Sequence, residues 1–280
     1  MNIRKILHTI DEAIFPSNIY CLVCGCMIDV TRPYSLCDKC VREIHWITGG
    51  ICEDGEKQNL CSKCGKALDS KYQGQMCYDC MSRRHYFTKG WSCMTYGLHE
   101  REILMNIKYH EKGYMAVKMG DVLYDRMALI VGDVHNVNLN IDIVIPTPVS
   151  AKRLRKRGYN QSALMAQRFV KRCYDGGMTP EYDEKILIRV RETETLRNLN
   201  PTERTMALEG AFAVKKGTEC RIKQKSILLI DDIYTTGATA DACSRSLLKA
   251  GAKHVYLLTL ASGSNRRPSE LGEDRFVNKD

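Results

Sequence analysis

The sequence has no run of apolar residues that approaches the roughly 18 needed to cross a membrane. Residues 1–16 carry Asp11 and Glu12 within their apolar pattern, so they lack the uninterrupted apolar region of a signal peptide. No G-x-x-x-x-G-K-S/T motif is present, which argues against a P-loop nucleotide-binding protein, and no helix-turn-helix segment is evident. We therefore expect a cytoplasmic protein without a membrane span.

Cysteine is scarce beyond the first third of the chain. Eleven of the fourteen cysteines precede residue 94, and only Cys173, Cys220 and Cys243 follow it. A chain of 280 residues with 44% hydrophobic side chains is long enough for two packed domains. We expect a cysteine-rich domain over 1–94, a second domain over 95–262, and a polar, disordered tail over 263–280.

Four C-x-x-C pairs divide the first 94 residues into two similar units. In each unit twelve residues separate the two pairs, and the second unit lies forty positions after the first. Ile28-Asp29 aligns with Leu68-Asp69, so the similarity goes beyond cysteine. A glycine follows the first pair of each unit, where a positive φ lets main-chain N–H groups approach the sulfurs. The eight cysteines are Cys21, Cys24, Cys37, Cys40, Cys61, Cys64, Cys77 and Cys80.

Paired cysteines in a reducing cytoplasm are metal ligands rather than disulfides. Two C-x-x-C pairs describe a closed tetrahedral Zn²⁺ site, so we predict two structural zinc ions, whereas a thioredoxin-like motif would need one pair on a βαβ unit. Two zinc ions on eight thiolates would lower the net charge from +9 to +5. The spacing leaves open whether consecutive or interleaved pairs share an ion. Substitute ligands are also present: Cys26, Cys52, Cys93, His45 and His85.

Strands and helices alternate in the rest of the chain. The predicted strands are 141–146, 186–190, 211–214, 227–230 and 254–260, and the predicted helices are 98–108, 113–127, 161–174 and 238–250. The stretch 191–210 is polar. Such alternation is typical of an α/β fold with a doubly wound, mostly parallel sheet.

The segment from Ser226 to Thr239 joins a buried strand to a helix through two carboxylates. Asp231 and Asp232 follow the apolar run, at the carboxyl end of a strand, where open α/β sheets bind ligands. Carboxylates accept hydrogen bonds from sugar hydroxyls or hold a hydrated Mg²⁺ ion. The next residues are small or hydroxylated, so their N–H groups can face a phosphate at the start of the helix. They are Thr235, Thr236, Gly237, Ala238 and Thr239. The pattern predicts a site for a ribose 5-phosphate.

Residues 227–239 resemble the signature loop of type I phosphoribosyltransferases, which bind phosphoribosyl pyrophosphate (PRPP). The resemblance implies that Asp231 and Asp232 hold the ribose hydroxyls, that residues 235–239 wrap the 5-phosphate, and that Mg²⁺ binds with PRPP. It also implies a pyrophosphate-binding loop at Thr147 and Pro148, after an earlier strand, and a mobile loop over the site at 191–210.

More narrowly, the chain from about Cys21 to Leu260 resembles the ComF family, cytoplasmic phosphoribosyltransferase-like proteins with a zinc-binding N-terminal part. The family is linked to DNA uptake in natural transformation. The residues that carry the resemblance are the cysteine pairs, Lys108-Tyr109, 153–161, Glu203-Arg204, 210–212 and the loop at 227–239. It implies single-stranded DNA and DNA-uptake proteins as partners.

Five cations occupy six positions between the predicted strand 141–146 and the helix that follows. They are Lys152, Arg153, Arg155, Lys156 and Arg157. Guanidinium groups form bidentate contacts with phosphate oxygens, so the cluster can neutralise pyrophosphate. It can instead follow a nucleic-acid backbone, with Tyr159 stacking on a base, or be a solvated turn. Further candidates for the pyrophosphate are Arg191, Arg197 and Arg204.

We expect an enzyme that transfers a phosphoribosyl group from PRPP to an unknown nitrogen acceptor and releases pyrophosphate. The alternative is a nucleic-acid-binding adaptor in DNA uptake that keeps the PRPP site as a sensor or a relic. A PRPP-responsive regulator is a third interpretation. In type I phosphoribosyltransferases a hood on the sheet domain usually selects the acceptor, and the resemblance therefore implies that the cysteine-rich domain folds over the site and contributes to the choice of acceptor.

Overall fold

Five parallel strands form the central sheet of the computed structural model, which describes residues 19–50, 58–109, 113–132, 139–193 and 200–265. The strands are β1 (Lys89–Thr95), β2 (Ile143–Pro146), β3 (Glu181–Tyr182), β6 (Ser226–Tyr234) and β7 (His254–Ser262), in the order β1-β7-β6-β2-β3. β4 (Leu187–Arg189) and β5 (Phe212–Val214) pair antiparallel in a separate small sheet. The predicted α/β fold with a mostly parallel sheet is confirmed.

The central strand β6 owes its place to the apolar run Ile227 to Ile230, whose side chains are completely buried. A run that is apolar on both faces suits a strand with neighbours at both edges and helices above and below. Pro146, the last residue of β2, pairs with Ile230. Thr147 follows Pro146 and Asp231 follows Ile230, so both residues lie at the same carboxyl edge of the sheet.

Helices cover both faces of the sheet. They are α1 (Asp38–Glu43), α2 (Tyr78–Ser82), α3 (Leu98–Lys108), α4 (Gly113–Gly132), α5 (Ala151–Arg157), α6 (Gln161–Asp175), α7 (Pro201–Leu208), α8 (Glu219–Ile222) and α9 (Ala238–Lys249). One apolar core contains the buried side chains of α3, α4 and α6, and a second core contains those of α9, β4 and β5. Among the helices of the described ranges, none combines the length and apolarity required to span a membrane.

The predicted helices 98–108, 113–127, 161–174 and 238–250 correspond to α3, α4, α6 and α9. The predicted strand 186–190 became β4, which lies outside the parallel sheet because its partner is β5. The polar stretch 191–210 contains α7, and its residues 194–199 lie outside the described residues, as do the N-terminal 1–18 and most of the predicted tail, 266–280. The domain division at residue 94 stays a prediction; the sheet itself begins at Lys89.

The two cysteine units have the same local structure. Tyr20 bridges Met27 in the first unit and Leu60 bridges Ala67 in the second, again forty positions apart. The glycines after the first cysteine pairs, Gly25 and Gly65, have φ angles of 70° and 72°, which confirms the expected positive φ. The second pair of each unit lies at the start of a short helix, α1 or α2.

The units pack on opposite faces of the sheet beside β1. In the first unit, the main-chain oxygen of Leu22 accepts a hydrogen bond from Asn106 Nδ2 of α3 at 2.7 Å. In the second unit, the oxygen of Lys63 accepts one from the N–H of Gly90 at 2.8 Å. The segment 45–47 pairs with the outer side of β1, where the Ile47 N–H donates to the Cys93 oxygen at 2.8 Å. The edge of the sheet is thus covered rather than left open for another strand.

Candidate functional site

The acid pair lies on β6 beyond the end of β2. Asp232 is buried, with 6% of its surface exposed, and its Oδ2 lies 3.0 Å from Lys108 Nζ. The same oxygen accepts a hydrogen bond from Gln161 Nε2 at 2.7 Å. Asp231 Oδ1 accepts one from Ser162 Oγ at 3.3 Å and one from the main-chain N–H of Asp232 at 2.9 Å. Both carboxylates are therefore held in place by the chain itself.

The residues that orient the acids come from two helix ends. Lys108 is the last residue of α3, and Gln161 is the first residue of α6. Gln161 Oε1 in turn accepts a hydrogen bond from an Arg157 guanidinium nitrogen at 2.9 Å. A lysine at a helix end and a glutamine after a turn carry no local pattern that names their partner, so sequence reasoning placed neither at the site; both entered only through the family resemblance.

Asp231 titrates close to neutral pH. Burial raises the pKa of Asp231 to about 7, and the neighbouring charge of Asp232 acts in the same direction. Lys108 and the hydrogen bonds from Ser162 and the Asp232 N–H act in the opposite direction without cancelling the rise. Two adjacent carboxylates with little solvent around them repel each other when both are ionised. A bound cation or hydroxyl donors would reduce this repulsion.

Residues 235–239 turn from β6 into α9. Gly237 has a φ of 81°, the left-handed region that favours glycine, and no side chain caps the helix that follows. The first N–H groups of such a helix have no partner within the helix. Thr236 Oγ1 is buried without a hydrogen-bond partner among the described residues. This unsatisfied group of donors lines a cleft together with Asp231 and Arg204, and a helix start of this kind suits an anion.

The loop after β2 lies beside the acids. Thr147 is 6% exposed, its N–H donates to the Ile230 oxygen at 2.9 Å, and its Oγ1 is buried without a partner among the described residues. Asn160 Nδ2 donates to the Thr147 oxygen at 3.0 Å and so ties this loop to the start of α6. The loop formed by Thr147 and Pro148 thus borders the acid pair from the neighbouring strand, and its contact with pyrophosphate stays a prediction.

The candidate arginines have different surroundings. Arg153 and Arg155 are exposed on α5, whereas Arg157 bonds Gln161 and lies over the Tyr109 ring at 5.5 Å. Arg191 donates to the main-chain oxygens of Ala207 and Glu209, near the end of α7. Arg204 lines the cleft beside the Thr/Gly turn. Arg197 lies outside the described residues.

The cysteines form two sets of four, one in each unit. Cys21, Cys24, Cys37 and Cys40 have Sγ atoms within 4.8 Å of one another, and so do Cys61, Cys64, Cys77 and Cys80. Consecutive pairs therefore come together, and the interleaved arrangement does not occur. Four thiols at this separation fit a tetrahedral ion with sulfur ligands, and Zn²⁺ is the common ion for such a set. Each cluster could hold a metal ion, which matches the predicted pair of structural sites.

Of the substitute ligands named from the sequence, the four that the structure describes belong to neither cluster. His45 Nδ1 is 3.2 Å from Glu100 Oε1, and His85 Nδ1 is 2.7 Å from Asp241 Oδ2, so both histidines are engaged by carboxylates. Cys93 is a buried residue of β1, and Cys26 is exposed. Cys52 lies outside the described residues.

No protein-family model matches the sequence. The chain is 28% identical over 236 residues to competence protein F of Haemophilus influenzae, which covers 80% of this chain and 96% of that protein. It is 28% identical over 227 residues to competence protein ComFC of Bacillus subtilis, with 80% and 83% covered. It is 22% identical over 219 residues to DNA utilization protein YhgH of Escherichia coli K12, with 77% and 90% covered. These relatives confirm the resemblance to the ComF family.

Among solved structures, a hypoxanthine phosphoribosyltransferase from Staphylococcus aureus is similar with a TM-score of 0.31 at 14% identity, covering 55% of this chain and 65% of that chain. The HGPRT-ase of Leishmania tarentolae in complex with GMP is similar with a TM-score of 0.30 at 11% identity, covering 54% and 68%. Both scores are below 0.5, and the architecture is defined by the sheet order and strand directions given above.

Proposed function

We propose that the chain binds PRPP at the carboxyl edge of its sheet and transfers the 5-phosphoribosyl group to a nitrogen acceptor, with release of pyrophosphate. One observation carries the proposal. The uncapped start of α9, with the partnerless hydroxyl of Thr236, opens on a cleft that also contains Asp231. A site for an anion next to acceptors for hydroxyl groups matches the two ends of a ribose 5-phosphate.

Each part of the site has a role in this reaction. The N–H groups and hydroxyls of 235–239 bind the 5-phosphate, and Asp231 and Asp232 accept hydrogen bonds from the ribose hydroxyls. The bond from ribose C1 to the pyrophosphate oxygen breaks, and its electron pair leaves with pyrophosphate. A lone pair of the acceptor nitrogen forms the new bond to C1, and that nitrogen then loses a proton. Positive charge develops on the sugar, so positioning and charge placement matter more than a strong base.

The leaving group needs positive charge around it. The loop at Thr147 and Pro148 borders the acids, and Arg157 lies one side chain away from Asp232 through Gln161. Arg153 and Arg155 would need to reach the site from the exposed face of α5. Mg²⁺ bound with PRPP would supply further charge neutralisation at the pyrophosphate. Lys108 already places one cation at Asp232.

The two acids test the proposal directly. The double substitution Asp231→Asn with Asp232→Asn should weaken PRPP binding at least about tenfold, because hydrogen bonds to charged acceptors contribute roughly 1.5–3 kcal/mol each. Calorimetry with PRPP and Mg²⁺ measures the affinity. Asp175→Asn, an exposed acid at the end of α6, is the control. Native affinity in the double variant would refute the site.

Turnover needs a separate measurement. Pyrophosphate release should depend on an added nucleobase or on DNA if the chain is a transferase. The second cysteine unit contacts the Thr/Gly turn through His85. We include in the proposal that the cysteine units contribute to the choice of acceptor. Pyrophosphate release that is the same with and without every acceptor tested would point to a hydrolytic side reaction instead.

A second function, binding of single-stranded DNA as an adaptor in DNA uptake, is favoured by α5. This seven-residue helix has no buried side chain and presents all five cations of 152–157 at the surface or partly exposed. The names of the relatives, which refer to competence and DNA utilization, agree with such a role. In this function PRPP would act as a signal rather than as a substrate. Cysteines arranged in sets of four as metal ligands, rather than as disulfides, are typical of the reducing cytoplasm.

A further inference from the structure

The internal repeat places a histidine at the same position of each cysteine unit. His45 and His85 are forty residues apart and each follows the last cysteine of its unit by five positions. Both bond an acid in the first turn of a helix, Glu100 in α3 and Asp241 in α9. The two units thus attach to the sheet domain in the same way, each at the start of one helix.

The two helices carry different parts of the ligand site. α3 ends at Lys108, which pairs with Asp232, so the contact of His45 with Glu100 lies at the opposite end of this helix from the acids. α9 begins directly after the Thr/Gly turn, so the second unit is attached next to the predicted phosphate site. Only the second histidine therefore contacts residues of the site.

His85 contacts the turn at both of its ends. Its Nδ1 lies 2.7 Å from Asp241 Oδ2, after the turn, and its Nε2 lies 3.4 Å from the hydroxyl of Tyr234, before the turn. The imidazole is completely buried and stacks on Phe87 with ring centroids 5.0 Å apart. The N–H of the next residue, Tyr86, donates to the other oxygen of Asp241 at 2.9 Å. Residues 85 and 86 of the second unit therefore hold the start of α9 in place.

Gly237 shows how closely the ring supports the turn. A Cβ atom at this position would lie 2.9 Å from His85 Cε1 and 2.8 Å from the Tyr234 hydroxyl. The main chain of the turn, which lines the cleft, thus packs against the imidazole. Without the His85 ring, the turn would lose this packing contact and its N–H groups could adopt other orientations.

We propose that His85 is a positioning residue for phosphate binding: it holds the N–H groups of 236–240 in the orientation that binds the 5-phosphate, and so couples the second cysteine unit to ligand affinity. The role rests on the proposed function, since the ligand is PRPP. His85 touches neither the ribose nor the pyrophosphate. It acts through Asp241 and Gly237.

Affinity measurements on three variants test the role. His85→Ala should weaken PRPP binding about tenfold or more, because the substitution removes the hydrogen bond between His85 and Asp241 and the packing of the ring against Gly237. His85→Asn should lose less affinity than His85→Ala, because the asparagine NH₂ group can occupy the place of Nδ1 and donate to Asp241, although the side chain lacks the ring atoms that support Gly237. His45→Ala removes the matching contact of the first unit and should leave PRPP affinity within about twofold of the parent. Zinc content and circular dichroism establish that each variant is folded.

Hydrogen exchange gives a readout that does not require PRPP. In the protein without ligand, the amides of 236–240 should exchange fastest in His85→Ala, at an intermediate rate in His85→Asn, and at the parental rate in His45→Ala. If the parent fails to bind PRPP but this pattern appears, the proposed function falls and the positioning role stands. If exchange in the turn is unchanged in His85→Ala, the positioning role is wrong whatever the ligand. Equal effects of His85→Ala and His45→Ala would also overturn it, because they would reflect general loosening.

Discussion

Asp231 and Asp232 are adjacent, but their partners differ. Asp232 has the Lys108 ammonium group at 3.0 Å, whereas Asp231 has a hydroxyl and a main-chain N–H. The pKa of Asp231 rises to about 7 because of burial and the charge of Asp232. Ionisation of Asp231 is therefore unfavourable in the folded protein without ligand. Such raised pKa values are common at functional sites.

This pKa predicts how stability depends on pH. In the unfolded chain an aspartate titrates near pH 3.9, so between about pH 4 and 7 the folded state holds a proton that the unfolded state has released. Stability should fall as pH rises through this window and then level off. Asp231→Asn removes the charge, so it should raise the unfolding free energy at pH 8 by on the order of 2–4 kcal/mol and change it little at pH 4.

Denaturant unfolding of the parent and of Asp231→Asn at pH 4, 6 and 8 measures the difference. Asp175→Asn, which replaces an exposed acid, should show no trend of this size. A constant difference between parent and Asp231→Asn across the three pH values would contradict the raised pKa.

At the scale of elements, α5 illustrates what pattern analysis missed. Its sequence has no apolar periodicity, so the cations at 152–157 predicted only a charged segment. Ser150 accepts a hydrogen bond from the Arg153 N–H at its start, and Gly158 ends it with a φ of 78°. Caps rather than burial define this helix. β1 was also missed, because its seven residues contain one cysteine and no sustained apolar run, so they were not distinguished from the cysteine-rich part.

The exposed cations of α5 predict a salt-dependent interaction with single-stranded DNA. Arg155→Ala with Lys156→Ala should weaken binding and reduce the slope of log affinity against log salt by about 1.4, since each lost phosphate contact contributes about 0.7 for single strands. Fluorescence anisotropy over a salt series measures both quantities. PRPP affinity of the same variant tests the other interpretation of the cluster: a loss would assign Arg155 or Lys156 to the pyrophosphate, and an unchanged affinity would exclude both.

Lys215→Ala with Lys216→Ala removes two exposed charges after β5 and serves as the matched control. If this control and the α5 variant change DNA binding equally, only the net charge matters and α5 is no specific surface. Arg157→Ala separates the two functions, because Arg157 is linked to Asp232 through Gln161. A loss of PRPP affinity with native DNA binding in that variant would assign Arg157 to the PRPP site.

At the scale of the whole molecule, the two cysteine clusters differ in exposure. In the first cluster Cys24 is exposed and Cys37 is half-buried, whereas all four cysteines of the second are buried. Lys66, 2% exposed and 2.7 Å from Asp79, lies buried in the second unit, where the first unit has Cys26 at the equivalent position. An ion in the second cluster would be better shielded from water and from competing ligands.

We expect a chelator to remove zinc in two phases, the first cluster emptying faster. Release into a colorimetric chelator measures the rates. Cys37→Ser and Cys77→Ser are equivalent substitutions in the two units, and the first should abolish the fast phase and the second the slow phase. A single phase that releases both ions at one rate would contradict the prediction.

The amino-acid sequence by itself determined the features that depend on spacing along the chain: the two four-cysteine units, the longer helices and most strands of the α/β part, and the acid pair followed by a Thr/Gly turn. Tertiary structure alone decided which cysteine pairs share a cluster, that Lys108 and Gln161 hold Asp232, and that His85 supports Gly237. The reason is physical. Local patterns reflect helix and strand periods, whereas these contacts join groups far apart in sequence, which meet only after the sheet and its two faces have packed.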